Sequence, residues 1–170
     1  NHLRLLNHQN GFPLRITRTV NVYGPEQPTY RIVPKASLCA LLGRKLPRHG
    51  GGTSRRAFIH VDDVARGILT VLERGEDGEA YHMATLHETA IAELVAEVCR
   101  RCGARFEDVV EEVPERPGKD PVYVLRDSKI RRMGWNATVG LSKGLDETVG
   151  WARKNLEVLA MCSTEYRHAA

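Results

Sequence analysis

The stretch Gly50–Gly67, which reads Gly-Gly-Gly-Thr-Ser-Arg-Arg-Ala-Phe-Ile-His-Val-Asp-Asp-Val-Ala-Arg-Gly, contains three successive structural signals. Its three glycines and Thr-Ser predict a loop without side-chain bulk. Residues 57–61 are rich in β-forming residues and predict a strand. Asp62 and Asp63 are residue types that cap helices, and apolar residues follow them at helical spacing. The stretch therefore predicts a loop, a strand and a capped helix in that order.

Two consecutive arginines, Arg55 and Arg56, lie where the glycine loop meets the predicted strand. A planar guanidinium matches the oxygens of a phosphate, so an arginine beside a glycine loop is well placed to bind an oxyanion. Exposed, solvated arginines are equally common at such positions. On the residues alone, both interpretations of the pair stay open.

The same alternation of strand and helix patterns continues along the chain and favours an α/β fold. Residues 1–10 are typical of the last turns of a helix, which predicts that the chain begins inside a larger protein. The final residues, 160–170, are expected to form a frayed tail. The patterns predict helices over 32–42, 63–74, 89–101, 127–133 and 141–159, and strands over 14–18, 57–61, 80–84 and part of 106–113.

Composition limits the classes of partner. The chain has 170 residues, 25 basic and 21 acidic, with a net charge of +4. Only 6% of residues are aromatic, and no basic block is interleaved with them, which argues against nucleic-acid binding and favours a small anionic ligand. No apolar run approaches the roughly 20 residues needed to span a bilayer, and the first residues do not resemble a secretory signal. We therefore expect a cytoplasmic protein without a membrane partner.

The Cys99-Arg-Arg-Cys102 pair has the spacing of a metal or redox motif. No second pair completes a zinc site, and we expect no metal. The pair follows a helical pattern instead of preceding one, so the helix dipole would oppose thiolate formation. We expect both thiols to be structural.

Several ordered motifs resemble the extended short-chain dehydrogenase/reductase family that modifies nucleotide sugars, and most of all its dTDP-glucose 4,6-dehydratases. The resemblance covers about residues 3–156. Its motifs are Thr-Arg-Thr-Val-Asn-Val-Tyr-Gly-Pro at 17–25, Leu-Pro through the glycine loop to Val-Asp-Asp-Val-Ala at 46–65, Glu-Ala-Tyr-His at 79–82, Glu-Arg-Pro-Gly-Lys-Asp at 115–120 and Asp-Ser-Lys-Ile to Gly-Trp at 127–135.

The resemblance implies a fold and a division of the parent protein. The fold would be α/β, the C-terminal part of a Rossmann-type enzyme, with outer parallel strands and a small mixed α/β substrate-binding lobe. Residues 1–159 would be the substrate-binding portion, with the N-terminal cofactor-binding part absent. The family's G-x-x-G-x-x-G loop and Tyr-x-x-x-Lys pair do not occur in the sequence. We therefore expect no catalytic residues here, and NAD bound mainly by the missing part.

The resemblance also implies an activity for the parent. It would be an NAD-dependent nucleotide-sugar 4,6-dehydratase, a lyase that oxidises a nucleoside-diphosphate hexose, eliminates water and returns the hydride. The intact protein would be a homodimer. The alternatives are an epimerase, decarboxylase or reductase of the same family, or a non-catalytic module that binds nucleotide sugars.

Eight positions match substrate-binding positions of the family. Asn21 would hydrogen-bond the diphosphate, unless it is an ordinary turn asparagine, and Arg31 matches a basic position of the substrate cleft. Arg56 and Arg116 match two arginines that clamp the diphosphate, which leaves Arg55 as the solvated neighbour. Lys119 replaces a family histidine and keeps its charge. The residues expected to pack the nucleobase are Leu46, Pro47 and His49, the last in place of a family tyrosine.

Overall fold

Helices and strands alternate along the chain in the computed structural model, which describes residues 2–114, 122–123 and 125–166. The helices are α1 (His2–Asn10), α2 (Ile32–Leu42), α3 (Val61–Arg74), α4 (Ile91–Cys102), α5 (Phe106–Val109), α6 (Ser128–Arg131), α7 (Leu141–Lys154) and α8 (Leu156–Ala160). The strands are β1 (Ile16–Thr19), β2 (Asn21–Tyr23), β3 (Leu46–His49), β4 (Arg55–His60), β5 (Ala80–Met83), β6 (Glu88–Ala90), β7 (Val110–Val113) and β8 (Val122–Tyr123).

The strands form three small groups, and parallel pairing dominates. β1 pairs with β5, and β3 pairs with β7, both in parallel. β4 lies between β2, which is parallel to it, and β6, which is antiparallel, and it also pairs in parallel with β8. Parallel pairs require long crossover connections, and the helices supply them. The predicted α/β class is confirmed.

The Gly50–Gly67 stretch folds as loop, strand and helix, with two corrections. The three glycines form a 3-10 turn in which every φ is positive, between 55° and 65°, a backbone that favours glycine. β4 begins at Arg55, earlier than the pattern predicts. The prediction that Asp62 and Asp63 cap the helix is wrong, because α3 begins at Val61 and its N-cap is His60, whose side chain accepts the Asp62 N–H.

Among the described residues, three apolar clusters hold the elements together, and the smallest packs α8 on α2 and α7 through Leu38, Ala152 and Leu159. In the first, α2, α4 and α7 pack on one another and on the strand ends, through buried residues such as Leu94, Val98 and Leu145. In the second, the β4 and β5 strands pack on α3 and on Trp135. Fully burying one such large side chain contributes about 1.5–3 kcal/mol. The site described below lies between β2, β3, α2 and α4, which these clusters fix.

Three other boundaries differ from the sequence patterns. Leu46-Pro47 was not predicted as a strand, yet it begins β3, and β7 is the neighbour that pairs with it. The predicted helix at 89–101 begins later, at Ile91, because Glu88–Ala90 pairs with β4. The predicted helix at 141–159 is two helices separated at Asn155, whose φ and ψ of −109° and 20° are not helical.

Two residues of the expected tail, Ser163 and Glu165, contact the segment before α2 and α2 itself. Thr29 Oγ1 donates a hydrogen bond to the Ser163 carbonyl, and Glu165 forms an ion pair with Lys35. Within the described residues, every helix is too short or too polar to cross a bilayer.

Candidate nucleotide-binding site

Two adjoining cavities lie beside the N-terminal end of α2. The large cleft has a volume of about 1370 Å³, and the small pocket has a volume of about 380 Å³. Tyr30 and Ile32 line both cavities, so they mark the junction between them. An elongated ligand could therefore extend from one cavity into the other.

The large cleft is bounded by the chain from β2 to the start of α2. Asn21 lies in β2 and not in the expected turn, because β2 pairs with β4. Its side-chain amide donates a hydrogen bond to the Ala57 carbonyl at 3.2 Å, which fixes the side chain at the cleft wall. After β2 the chain turns at Gly24, where an added Cβ would lie 2.6 Å from Val61 Cγ1. A side chain at this turn would therefore displace the start of α3.

Arg31 also lines the large cleft and is exposed at the N-cap position of α2. Its guanidinium carbon lies 5.5 Å from the centre of the Tyr30 ring, a cation–π distance. A helix N-terminus carries partial positive charge from its free N–H groups. The guanidinium and the helix end together give this wall a positive field that suits an anionic ligand.

The small pocket contains the three residues expected to pack a nucleobase. Leu46, Pro47 and His49 all belong to β3 and line one wall. The His49 Nδ1–H donates to the Pro114 carbonyl at 3.0 Å, which orients the ring. The sequence patterns did not indicate the residues that complete the pocket, because they come from distant segments. Those from distant segments are Tyr30, Ile32, Lys35, Ile91, Val95 and Val110, and Arg48 of β3 and the nearby Gly52 also line the pocket.

Arg55 and Arg56 lie at the start of β4, and neither is among the residues that line the two cavities. Arg55 donates to the Glu88 carbonyl at 2.8 Å and is half-exposed, in agreement with the expected solvated role. Arg56 donates through Nη1 to the Arg55 carbonyl at 2.8 Å. The role of Arg56 in binding stays a prediction.

Arg116 and Lys119 lie outside the described residues, but both ends of the segment that contains them are placed. Pro114, before the segment, accepts the hydrogen bond from His49. After the segment, β8 pairs with β4 so that Val122 is in register with Arg55 and Tyr123 with Arg56. Pro114 therefore lies beside the small pocket, and Val122 and Tyr123 lie beside the two arginines.

His60 was not singled out as a site residue, yet it lies at the base of the large cleft and is only 1% exposed. Its Nδ1 accepts the Asp62 N–H and lies 3.6 Å from the Asp62 carboxylate, while Nε2 lies 3.4 Å from the Glu147 carboxylate. Tyr23 packs edge-on against the ring at 5.5 Å. Burial, and then the charges of Asp63 and Glu147, raise the pKa of the Tyr23 hydroxyl.

The His60, Asp62 and Glu147 side chains offer nitrogen and oxygen atoms within 4.8 Å of one another, which raises the question of a metal site. The two carboxylates approach opposite nitrogens of the ring, and Nδ1 already accepts a backbone N–H. The two carboxylates therefore do not converge on one free ring nitrogen. The arrangement orients the imidazole between α3 and α7 and does not favour a metal.

The Cys99 and Cys102 thiols lie in the last turn of α4, as the pattern predicts, and neither forms a disulfide. Burial raises the pKa of Cys99, and it raises the pKa of Cys102 to about 11. Both thiols are therefore protonated near neutral pH. This agrees with the expected structural role.

Comparisons with known proteins agree on one family. The model of the NAD-dependent epimerase/dehydratase family matches residues 2–84. The dTDP-D-glucose 4,6-dehydratase of Mus musculus is 37% identical over 149 residues, which cover 85% of this chain and 42% of the mouse protein.

Solved structures show the same relationship. The dTDP-glucose 4,6-dehydratase of Streptomyces venezuelae, solved with NAD bound, superposes with a TM-score of 0.87 at 36% identity. The match covers 92% of this chain and 48% of the Streptomyces enzyme. The UDP-glucose 4-epimerase of Thermotoga maritima, solved with UDP-glucose, has a TM-score of 0.84 at 28% identity, over 91% of this chain and 50% of its own. The chain thus spans about half the length of these two enzymes.

Proposed function

Because the chain belongs to the NAD-dependent epimerase/dehydratase family, we propose that it holds the substrate nucleotide in a nucleotide-sugar 4,6-dehydratase. The parent would oxidise a nucleoside-diphosphate hexose with NAD, eliminate water and return the hydride. Residues 1–159 would form the substrate-binding portion, and NAD would be bound mainly by sequence outside this chain. The homodimeric state and the cytoplasmic location stay predictions.

One observation carries the proposal. The small pocket has Leu46, Pro47 and His49 on its wall, adjoins the N-terminal end of α2 and lies next to Pro114. A planar nucleobase fits a pocket with a largely apolar lining, and the diphosphate would extend toward the positive end of α2, with Arg56 and Arg116 as its proposed clamp. Asn21 and Arg31 would contact the ligand from the large cleft. Lys119 would add positive charge from the 115–121 segment.

A nucleotide-sugar epimerase is the second candidate, since the Thermotoga UDP-glucose 4-epimerase shares the fold with a TM-score of 0.84. The dehydratase ranks first because the Streptomyces dehydratase is more similar, at 36% identity against 28%. Product analysis of the parent enzyme separates the two, because a dehydratase releases a 4-keto-6-deoxy sugar whereas an epimerase releases a hexose of unchanged mass.

The experiment that tests nucleotide binding compares three arginine variants by calorimetric titration of the parent enzyme with dTDP and UDP. A hydrogen bond to a charged group contributes roughly 1.5–3 kcal/mol, so Arg56→Ala and Arg116→Ala should each weaken binding about ten- to hundredfold. Arg55→Ala is the matched control and should change affinity little, because an exposed charge contributes little. Lysine at 56 or 116 should restore binding only in part, since it lacks the planar fork.

Ionic strength must be held constant, because salt screens every exposed charge. If Arg55→Ala weakens binding more than Arg56→Ala does, or if Arg116→Ala has no effect, the assignment of the diphosphate site is wrong.

A further inference from the structure

The C-terminal strap, defined as Ser163–Tyr166, folds back onto residues 29–35, beside the two cavities. The Ser163 carbonyl accepts a hydrogen bond of 2.6 Å from Thr29 Oγ1, and Thr29 is 9% exposed. The Glu165 carboxylate lies 2.9 Å from Lys35 Nζ. The Tyr166 ring packs against the Tyr30 ring with centroids 5.1 Å apart and planes inclined at 61°. Three different kinds of contact therefore hold the strap to residues 29–35.

The groups that the strap contacts belong to the candidate site. Lys35 lines the small pocket, and Tyr30 lines both the pocket and the cleft. Tyr166 itself lines the large cleft. The strap thus places a carboxylate on a pocket ammonium and an aromatic ring at the junction where an elongated ligand would pass.

The Lys35–Glu165 ion pair is asymmetric in exposure. The Lys35 side chain is 16% exposed, whereas the Glu165 side chain is 74% exposed. The ammonium is therefore fixed at the pocket, while the carboxylate approaches it from solvent. Exposed ion pairs contribute little free energy, so another anion can replace the carboxylate at small cost.

We propose that Lys35 binds a phosphate of the nucleoside diphosphate and that the Glu165 carboxylate occupies Lys35 in the ligand-free protein. This inference rests on the proposed function. A phosphate offers the ammonium the same kind of charged oxygen acceptor as a carboxylate does, with more negative charge. A nucleoside diphosphate therefore displaces the Glu165 carboxylate, which competes with the ligand for Lys35, and loosens the strap by removing one of its three contacts.

The first test is calorimetric titration of the 170-residue chain and its variants with dTDP and UDP at constant ionic strength. Glu165→Gln removes the competing charge and should raise affinity about two- to fivefold, the scale of an exposed ion pair. Lys35→Met removes the ammonium but keeps most of the side-chain stem, and it should lower affinity about tenfold. Combining Glu165→Gln with Lys35→Met should give the affinity of Lys35→Met alone.

Glu157→Gln is the matched control. Glu157 is exposed on α8, and its substitution removes one negative charge close to Glu165 in the sequence. It should leave the affinity unchanged. An equal gain from Glu157→Gln would show a general effect of net charge and would contradict the proposal. Equal affinity of the wild type and Glu165→Gln would contradict competition by Glu165 but would leave the proposal of nucleotide binding intact. If no variant binds either nucleotide, the proposed function and this inference both fail.

A second readout reports the strap directly. Chymotrypsin cleaves after tyrosine, and loosening of the strap should make the bond after Tyr166 more accessible. Mass spectrometry should therefore detect faster cleavage at Tyr166 when dTDP is present. Slower cleavage with dTDP would mean that the strap closes on the ligand, which would contradict displacement.

Discussion

At the scale of single residues, Asp63 shows how a local pattern misleads about a side chain's partners. It is fully buried, and its carboxylate accepts the Thr138 and Val139 N–H groups at 2.9 and 3.0 Å and also pairs with Arg66. Burial alone would raise the pKa of this carboxyl, but the hydrogen bonds outweigh it and lower the pKa. Asp63 thus anchors the segment before α7 to α3.

Replacing Asp63 with asparagine should destabilise the protein by about 3 kcal/mol at pH 7, because the new amide group would face backbone donors and Arg66 would lose its charged partner. A lowered pKa in the folded state adds stability above the unfolded value, near 3.9, and this stability is lost as pH falls through the folded pKa. The free energy of unfolding, measured in urea, should therefore differ less between the wild type and Asp63→Asn in acid than at pH 7.

Asp77→Asn is the control for Asp63→Asn. Asp77 forms an exposed ion pair with Arg15 at 3.2 Å, and its loss should cost less than about 1 kcal/mol. Equal destabilisation by the two variants would show that the Asp63 network is not a main anchor.

The cysteines give a second prediction at this scale. Because the pKa of Cys102 is about 11, only about one thiol in a thousand is ionised at pH 8, and the thiolate is the reactive form. Cys162 is exposed. Thiol labelling at pH 8 followed by peptide mapping should therefore modify Cys162 well before Cys102, and Cys102 labelling should accelerate as pH rises toward 11. Equal rates at pH 8 would contradict this order.

At the scale of elements, α7 approaches the sheet through a glycine. A Cβ at Gly144 would clash with the Tyr23 hydroxyl and would lie 2.8 Å from Tyr23 Cζ and 2.9 Å from His60 Cδ2. Gly150 lies in the same helix with no atom within 4 Å of an added Cβ. One helix therefore holds one glycine required by packing and one that packing does not require.

Gly144→Ala should destabilise the protein by about 1–3 kcal/mol, because the added methyl group overpacks the contact with β2 and β4. Gly150→Ala should stabilise it by about 1 kcal/mol, since alanine is the better helix former. Thermal unfolding of the two variants beside the wild type measures both effects. If the two substitutions shift the melting temperature in the same direction, α7 does not pack as closely as the structure shows.

At the scale of the whole molecule, we propose that this chain binds the substrate nucleotide and that other sequence of the parent binds NAD. We therefore predict that the 170-residue chain does not bind NAD measurably. The sequence holds no G-x-x-G-x-x-G loop, whose backbone N–H groups the pyrophosphate of NAD requires. Calorimetric titration of the chain with NAD should give no saturable signal. A clear saturable NAD titration would show that these residues bind the cofactor themselves.

The sequence by itself determined the α/β class, the limits of α2 and the order of the family motifs. These depend on local signals: apolar periodicity, and glycine at a turn such as Gly43, which ends α2 with a φ of 64°. The resemblance to the family indicated Leu46, Pro47 and His49 as one edge of the site, and all three line the small pocket.

Only the tertiary structure decided which residues of other segments line the small pocket opposite Leu46, Pro47 and His49. Tyr30 reaches the small pocket from the turn before α2, Lys35 from α2, and Ile91 and Val95 from α4. Glu165 reaches Lys35 from residues that follow α8. The same holds for β3 and β6, whose strand character comes from pairing with β7 and β4 and not from composition. Local propensity contributes a fraction of a kcal/mol per residue, whereas packing and pairing between distant segments contribute more, and no local pattern encodes them.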